Sequence, residues 1–129
     1  MPIALWCVLV AAVLPIVCVG IAKAKGPRYD NRNPRAWLAQ QTGVAGRAAA
    51  AQQNHFEAFP FFAVAVLVAI LGGGIIDRIN LLAIAFIVVR VLYTVCYLAN
   101  WAPLRSLMWF AGFALCVALF VQPLSLIHI

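Results

Sequence analysis

Charge is what this sequence has least of. Of 129 residues only three are acidic and nine are basic, while 67% are hydrophobic, and a water-soluble domain of this size cannot cover its surface from so small a polar stock. Histidines number two and cysteines four. Cys7, Cys18, Cys96 and Cys116 are scattered through apolar segments without metal-ligand spacing, so they read as small hydrophobes. The chain carries no Ser/His/Asp set, no paired carboxylates and no metal-ligand cluster, which removes hydrolytic and metal chemistry from consideration. Gly72, Gly73 and Gly74 are not followed by a lysine, so they read as a helix end and turn and not as a phosphate loop. Internal repeats are absent, and the only low-complexity run is Ala48 to Ala51.

What the chain does have is long apolar stretches, over residues 3–22, 48–71, 79–98 and 104–121. Crossing the hydrocarbon core of a bilayer takes roughly 20 such residues as a helix, so four crossings account for nearly the whole chain. The third stretch is rich in β-branched residues (Ile84, Ile87, Val88, Val89, Val91), yet a lone strand cannot satisfy its backbone in lipid. A β-barrel would show short alternating segments instead. The expected fold is therefore all-α, an integral membrane four-helix bundle forming one domain over residues 1–123.

The first stretch resembles a signal peptide in position but not in charge. Nothing basic precedes it, whereas Lys23, Lys25 and Arg28 follow, so it is expected to remain as a helix. Six of the nine basic residues (Lys23, Lys25, Arg28, Arg32, Arg35 and Arg47) lie in or beside the first connection, against Arg78 beside Asp77 in the second. By the positive-inside rule the first connection faces the cytoplasm and both termini lie outside. The net charge of +6 thus reports topology, and no nucleic-acid partner is expected. Residues 124–129 (Leu-Ser-Leu-Ile-His-Ile) match the in-frame translation of a transposon-library adapter. They are expected to be a non-native tail, and His128 carries no functional weight.

Polar side chains inside the crossings are few. A charge at mid-bilayer costs about 2.5 to 3.5 kcal/mol on insertion scales, so one that persists usually faces the bundle interior and has a task. In the second crossing Arg47, Asn54 and Glu57 are spaced by seven and three, which puts them on one face, with Gln53 beside it. In the third, Arg90, Tyr93 and Tyr97 are spaced by three and four and share another face. Glu57 and Arg90 are expected to pair across these neighbouring antiparallel helices, since either would be expensive to bury alone. Pro60 should release the carbonyl of Phe56 and bend its helix beside Glu57. Trp37, Trp101 and Trp109 read as interfacial anchors, and His55 as a helix-surface residue. Arg105 and Ser106 open the fourth crossing near the level of Tyr97.

The run Arg47, Ala48, Ala51, Gln52, Gln53, Asn54, His55, Phe56, Glu57, Ala58, Phe59, Pro60 resembles the second-helix signature of the MAPEG family, the membrane-associated proteins in eicosanoid and glutathione metabolism. The Arg90, Tyr93, Tyr97 spacing and the Leu104, Arg105, Ser106 step resemble the third and fourth helices of that family, so the likeness extends over essentially the whole chain. The resemblance implies a homotrimer of four-helix subunits in a bacterial inner membrane, with glutathione as co-substrate held between neighbours. It also implies a site drawn from Arg47, Asn54, Glu57, Arg90, Tyr93, Tyr97, Arg105 and Ser106. Glutathione has two carboxylates and an amine, which suits cations for the former and Glu57 for the latter. Its thiol has an ordinary pKa near 8.5 and needs a guanidinium or phenol beside the sulfur to favour the anion, a task open to Tyr93, Tyr97 or Arg105.

The sequence departs from that pattern where it bears on activity. Ala50 and Gln53 stand where well-studied eukaryotic members carry arginines, Lys23, Lys25 and Arg28 compete for the basic position after the first helix, and Arg105 aligns within one residue's slippage. Two functions are therefore expected to compete. One is a glutathione-dependent transferase or peroxidase acting on lipophilic electrophiles or hydroperoxides that partition into the lipid bilayer. The other is a non-catalytic membrane module that binds a ligand or an assembly partner. A small multidrug transporter would need a glutamate in its first helix, and this helix has no acid.

The charge asymmetry is open to a direct check. Reporter fusions at Gly43 and Gly74 should report opposite compartments, with Gly43 cytoplasmic. A Gly43 fusion active outside the cell would invert the topology.

Overall fold

A computed structural model describes residues 1–126; of the six-residue tail, residues 127–129 lie outside the described part. The described residues are helical and contain no strand. Four long helices, α1 (Ile3–Lys25), α3 (Gly43–Leu71), α4 (Ile76–Leu98) and α5 (Ala102–Phe120), correspond to the four apolar stretches, and each is long and apolar enough to cross a membrane. A short helix, α2 (Pro34–Ala39), sits in the first connection, and a 3-10 turn follows α5 over Gln122–Leu126.

α3 begins five residues earlier than hydropathy alone suggested, at Gly43, because a helix continues past the apolar core as long as its backbone bonds are made. Arg47 thus lies within the helix and not before it. Pro60 lies inside α3, which nonetheless runs unbroken to Leu71. There the glycine run ends the helix as expected. Gly73 adopts a left-handed φ of 81°, its N–H bonds the Ile70 carbonyl at 3.1 Å and that of Gly74 the Ala69 carbonyl at 2.9 Å, a Schellman closure. α4 ends the same way. Asn100 takes φ 62°, tolerable for an Asn, and the Trp101 N–H reaches the Cys96 carbonyl at 2.8 Å. Both turns are tight, so α3, α4 and α5 run antiparallel in sequence.

α1 lies against α3 and α4, and α4 against α5 and α3. The backbone N–H of Ala4, orphaned in the first turn of α1, is capped at 3.0 Å by Oδ1 of Asn80 from the first turns of α4. That bond places the N-termini of α1 and α4 at the same end of the bundle, as alternating crossings require.

The core is built from small residues. Ala4, Ala11, Ala65, Ala69 and Ala83 are buried, with Phe62 and Phe86 stacked face to face, their centroids 4.0 Å apart. Without a hydrophobic driving force between helices in lipid, close backbone approach and dispersion must supply the association, and alanine permits it. Bulky aliphatics point outward instead, including Leu9, Ile16, Leu81 and Leu107. The exterior of this bundle is thus apolar, as for a protein solvated by acyl chains.

A second, smaller cluster joins Ala22, Ala48 and Trp37. Trp37 is buried, not an interfacial anchor: its indole N–H donates to the Arg28 carbonyl at 3.0 Å and its ring meets Tyr29 edge-on. The first connection is therefore a folded cap over one end of the bundle. Trp101, more than half exposed, keeps the position expected of an anchor.

Candidate functional site

Two residues on facing helices sit at one depth. Glu57 lies fourteen residues before Leu71, the end of α3, and Arg90 fourteen residues after Ile76, the start of α4; at 1.5 Å per residue each is about 21 Å from that end of the bundle. The sequence suggested an ion pair between them, and the structure corrects this. Arg90 is 3% exposed and takes neutral partners. Its Nη2 donates to Asn54 Oδ1 at 2.9 Å and to His55 Nδ1 at 2.9 Å, and its Nε donates to His55 Nδ1 at 3.3 Å. Glu57 stays on the exposed side of α3. Rotation about the helix axis explains the preference: Asn54 and His55 project from α3 toward α4, while Glu57, three and two positions on from them, is rotated past that face.

His55 is thus a second correction. It is 3% exposed, not a surface residue. Its Nε2 lies 2.7 Å from Thr94 Oγ1, and the Thr94 hydroxyl reaches back to the Arg90 carbonyl at 2.9 Å. A lone histidine beside apolar residues carries no spacing signal, so the sequence does not single out His55. Its adjacency to Asn54 and the four-residue step from Arg90 to Thr94 were the available hints.

Arg90 makes further contacts through its flat face. Its guanidinium lies 4.3 Å from the ring centroid of Tyr93, Tyr93 meets Tyr97 edge-on at 5.7 Å, and the Arg105 guanidinium lies 4.5 Å from the Tyr97 centroid. Asn54, Arg90, Tyr93, Tyr97 and Arg105 are therefore one continuous chain of contacts over three helices, with cations on aromatic faces. Arg47 stands apart: its Nε donates to the Leu98 carbonyl at 3.2 Å, capping the end of α4. Ser106 is exposed on α5 beside Arg105.

A cavity of about 300 Å³ opens between α3, α4 and α5. Asn54, Glu57 and Arg90 form its polar end, and Phe61, Phe86, Trp109 and Phe113 its apolar walls. The Trp109 and Phe113 rings stack at 5.6 Å, so Trp109 is a wall of the cavity and not only an anchor. Among the described residues Arg90 Nη1 and the hydroxyls of Tyr93 and Tyr97 make no hydrogen bond, and no buried polar side-chain atom is left without a partner. Those donors must therefore reach open space, and Arg90 is one of the residues that line the cavity. A guanidinium cannot accept a hydrogen bond. Its remaining N–H groups therefore call for an acceptor, best an anion.

On the other flank of α3 an open groove of about 620 Å³ runs beneath α2. Ala50 and Gln53 line it with Gln52 and Phe56, and Arg35 is its one cation. The two positions where the resemblance expected arginines thus lie together, on a surface with a single guanidinium in reach.

Comparison with known proteins bears on the same residues. The model of the MAPEG family matches residues 3–125, a span that includes all four long helices and every candidate site residue. No curated protein and no solved structure matches the chain.

The contact pattern predicts an order of coupling. In double-mutant cycles on the detergent-solubilised protein, Asn54→Ala with Arg90→Leu should show an interaction energy of about 0.5 to 3 kcal/mol in unfolding stability, larger than that of Glu57→Gln with Arg90→Leu. The reverse order would contradict the partnering of Arg90 described above.

Proposed function

Because the chain belongs to the MAPEG family, whose members serve glutathione and eicosanoid metabolism, we propose that it is a membrane-embedded glutathione-dependent transferase or peroxidase. The observation that carries the reading is Arg90: a buried guanidinium bonded only to neutral groups, with donors left over, at the polar end of an aromatic-walled cavity. Such a site favours an anionic head and an apolar body in one place. A thiolate approached by a lipid-soluble electrophile is that combination.

In this reading Arg90, with the free hydroxyls of Tyr93 and Tyr97 and the guanidinium of Arg105, stabilises the sulfur as thiolate. Glu57, unpaired by Arg90, is left to take the glutathione amine, and Asn54 the peptide. Arg47, Arg105, Ser106 and the basic first connection face the carboxylates. The apolar walls hold the second substrate, which arrives from the bilayer. The sulfur lone pair then forms a carbon–sulfur bond while the leaving group departs with its electron pair. With a hydroperoxide, the thiolate instead breaks the O–O bond, and a second glutathione completes its reduction to alcohol and water with release of glutathione disulfide.

A 300 Å³ cavity is at the lower limit for a small-molecule site, so part of the tripeptide must lie on the exposed flank of Glu57. A carboxylate there is costly to leave against lipid. A homotrimer, in which a neighbouring subunit covers this flank, answers both needs.

A second reading rests on Ala50 and Gln53. Without guanidinium groups at these positions the chain has fewer carboxylate clamps, which favours a module that binds its ligand without turnover. One experiment separates the two. Calorimetric titration of the purified protein in detergent should show glutathione binding, and Ala50→Arg should tighten it by roughly tenfold or more, the worth of a charge-assisted hydrogen bond. Conjugation of glutathione to a generic aryl halide should follow. Binding without conjugation selects the module, and no binding by either protein, with the assembly intact, contradicts a glutathione site.

A further inference from the structure

Nothing in the proposed chemistry uses His55, yet it is among the most buried polar residues of the chain. We infer that His55 is a positioning residue that holds the Arg90 guanidinium in the cavity through a closed hydrogen-bonded ring with Thr94. The functional consequence of this inference rests on the glutathione reading; its structural part does not.

The ring assigns every proton. The Thr94 hydroxyl points its single hydrogen at the Arg90 carbonyl, one turn back on α4, so toward His55 it can only accept. His55 Nε2, 2.7 Å away, must then carry a hydrogen and donate. Nδ1 is left as a bare lone pair and receives Arg90 Nη2 and Nε. Each step follows from the donor inventory of the groups: a guanidinium has donors only, a hydroxyl one donor, and a neutral imidazole one of each. The opposite tautomer would set N–H against N–H at Arg90 and waste the Thr94 acceptor, and an imidazolium would add a second cation to the same contact.

The consequence is directional. With Nδ1 and Asn54 Oδ1 occupying the Nε and Nη2 side of the guanidinium and the Tyr93 ring its face, only the Nη1 edge is free to meet a ligand. Thr94 fixes the imidazole, the imidazole fixes the guanidinium, and the free Nη1 edge is held in one orientation on a residue that lines the cavity. A fixed donor edge loses less rotamer freedom on binding than a mobile one. The ring is thus a device for pre-organising the charge that the site depends on.

The test uses histidine nitrogen-15 NMR and glutathione kinetics on the full-length protein in detergent. The chain has two histidines, and loss of a signal in His55→Asn assigns His55. Its spectrum should show Nε2 protonated and Nδ1 bare; an Nδ1–H tautomer or an imidazolium at neutral pH overturns the inference. His55→Asn keeps an acceptor at the position of Nδ1 and should bind glutathione within a few-fold of wild type. His55→Leu removes the acceptor and should raise KM by roughly tenfold or more, the scale of one hydrogen bond to a charge. Thr94→Val, which leaves the acceptor in place but frees the ring, should mix the tautomers, broaden the Arg90 Nε–H signal and fall between the two. If His55→Leu lowers thermal stability while the folded protein keeps wild-type KM, His55 is structural only and the positioning role is wrong. If wild type fails to bind glutathione, the proposed function fails, and the tautomer and Arg90 signals alone decide the inference.

Discussion

A guanidinium in the interior of a membrane bundle, bonded to an imidazole and an amide and to no carboxylate, is the constraint around which this protein is arranged. A buried charge with a carboxylate partner closes on itself and leaves little for a ligand. Arg90 instead keeps its charge in the bundle and is solvated by dipoles: Asn54 and His55 on one edge and the Tyr93 ring on its face. Dipolar solvation of this kind satisfies the donors it touches without cancelling the charge. It also requires that the donors stay where the dipoles are, which fixes the relative rotation and depth of α3 and α4.

Other features follow from holding that geometry in lipid. Alanine on the inner faces of α1, α3 and α4 brings the helix axes close enough for short side chains such as Asn54 and Thr94 to meet partners on facing helices. The Asn80 cap on α1 and the two Schellman turns satisfy helix ends without adding charge, and the Arg47 guanidinium caps the C-terminal end of α4, where a cation is favoured. The folded first connection, packed on Trp37, seats the basic residues on one end of the bundle. Aromatic residues of α3, α4 and α5 then wall the cavity that Arg90 also lines.

Much of this was legible in the sequence because two of its signals are insensitive to detail. Apolar length specifies crossing helices whatever the packing, and the spacing of Asn54 and Glu57, of Arg90, Tyr93 and Tyr97, and the Arg105 step pointed to the family whose model matches residues 3–125. What was not legible depends on the direction in which side chains project around a helix axis. Glu57 and Arg90 were matched correctly for depth, but 100° per residue decides between Asn54 or His55 and Glu57 as the partner, and the charges alone suggested the wrong one. His55 was overlooked because a single histidine has no periodicity. Trp37 was misplaced because α2, six residues long, is too short to show in hydropathy, so nothing signalled that the connection folds over it.

If the neutral partnering of Arg90 exists to keep a positive charge available to sulfur, the thiol of bound glutathione must ionise in this protein. The direct measurement is the ultraviolet difference absorbance of the thiolate when glutathione is added to the detergent-solubilised protein at neutral pH, compared with Arg90→Gln, which keeps hydrogen-bond donors for Asn54 and His55 but removes the charge. A thiolate band in wild type that is lost in Arg90→Gln, with the tripeptide still bound, is the predicted result. Equal bands in both proteins, or binding by wild type with the thiol still protonated, would contradict the account.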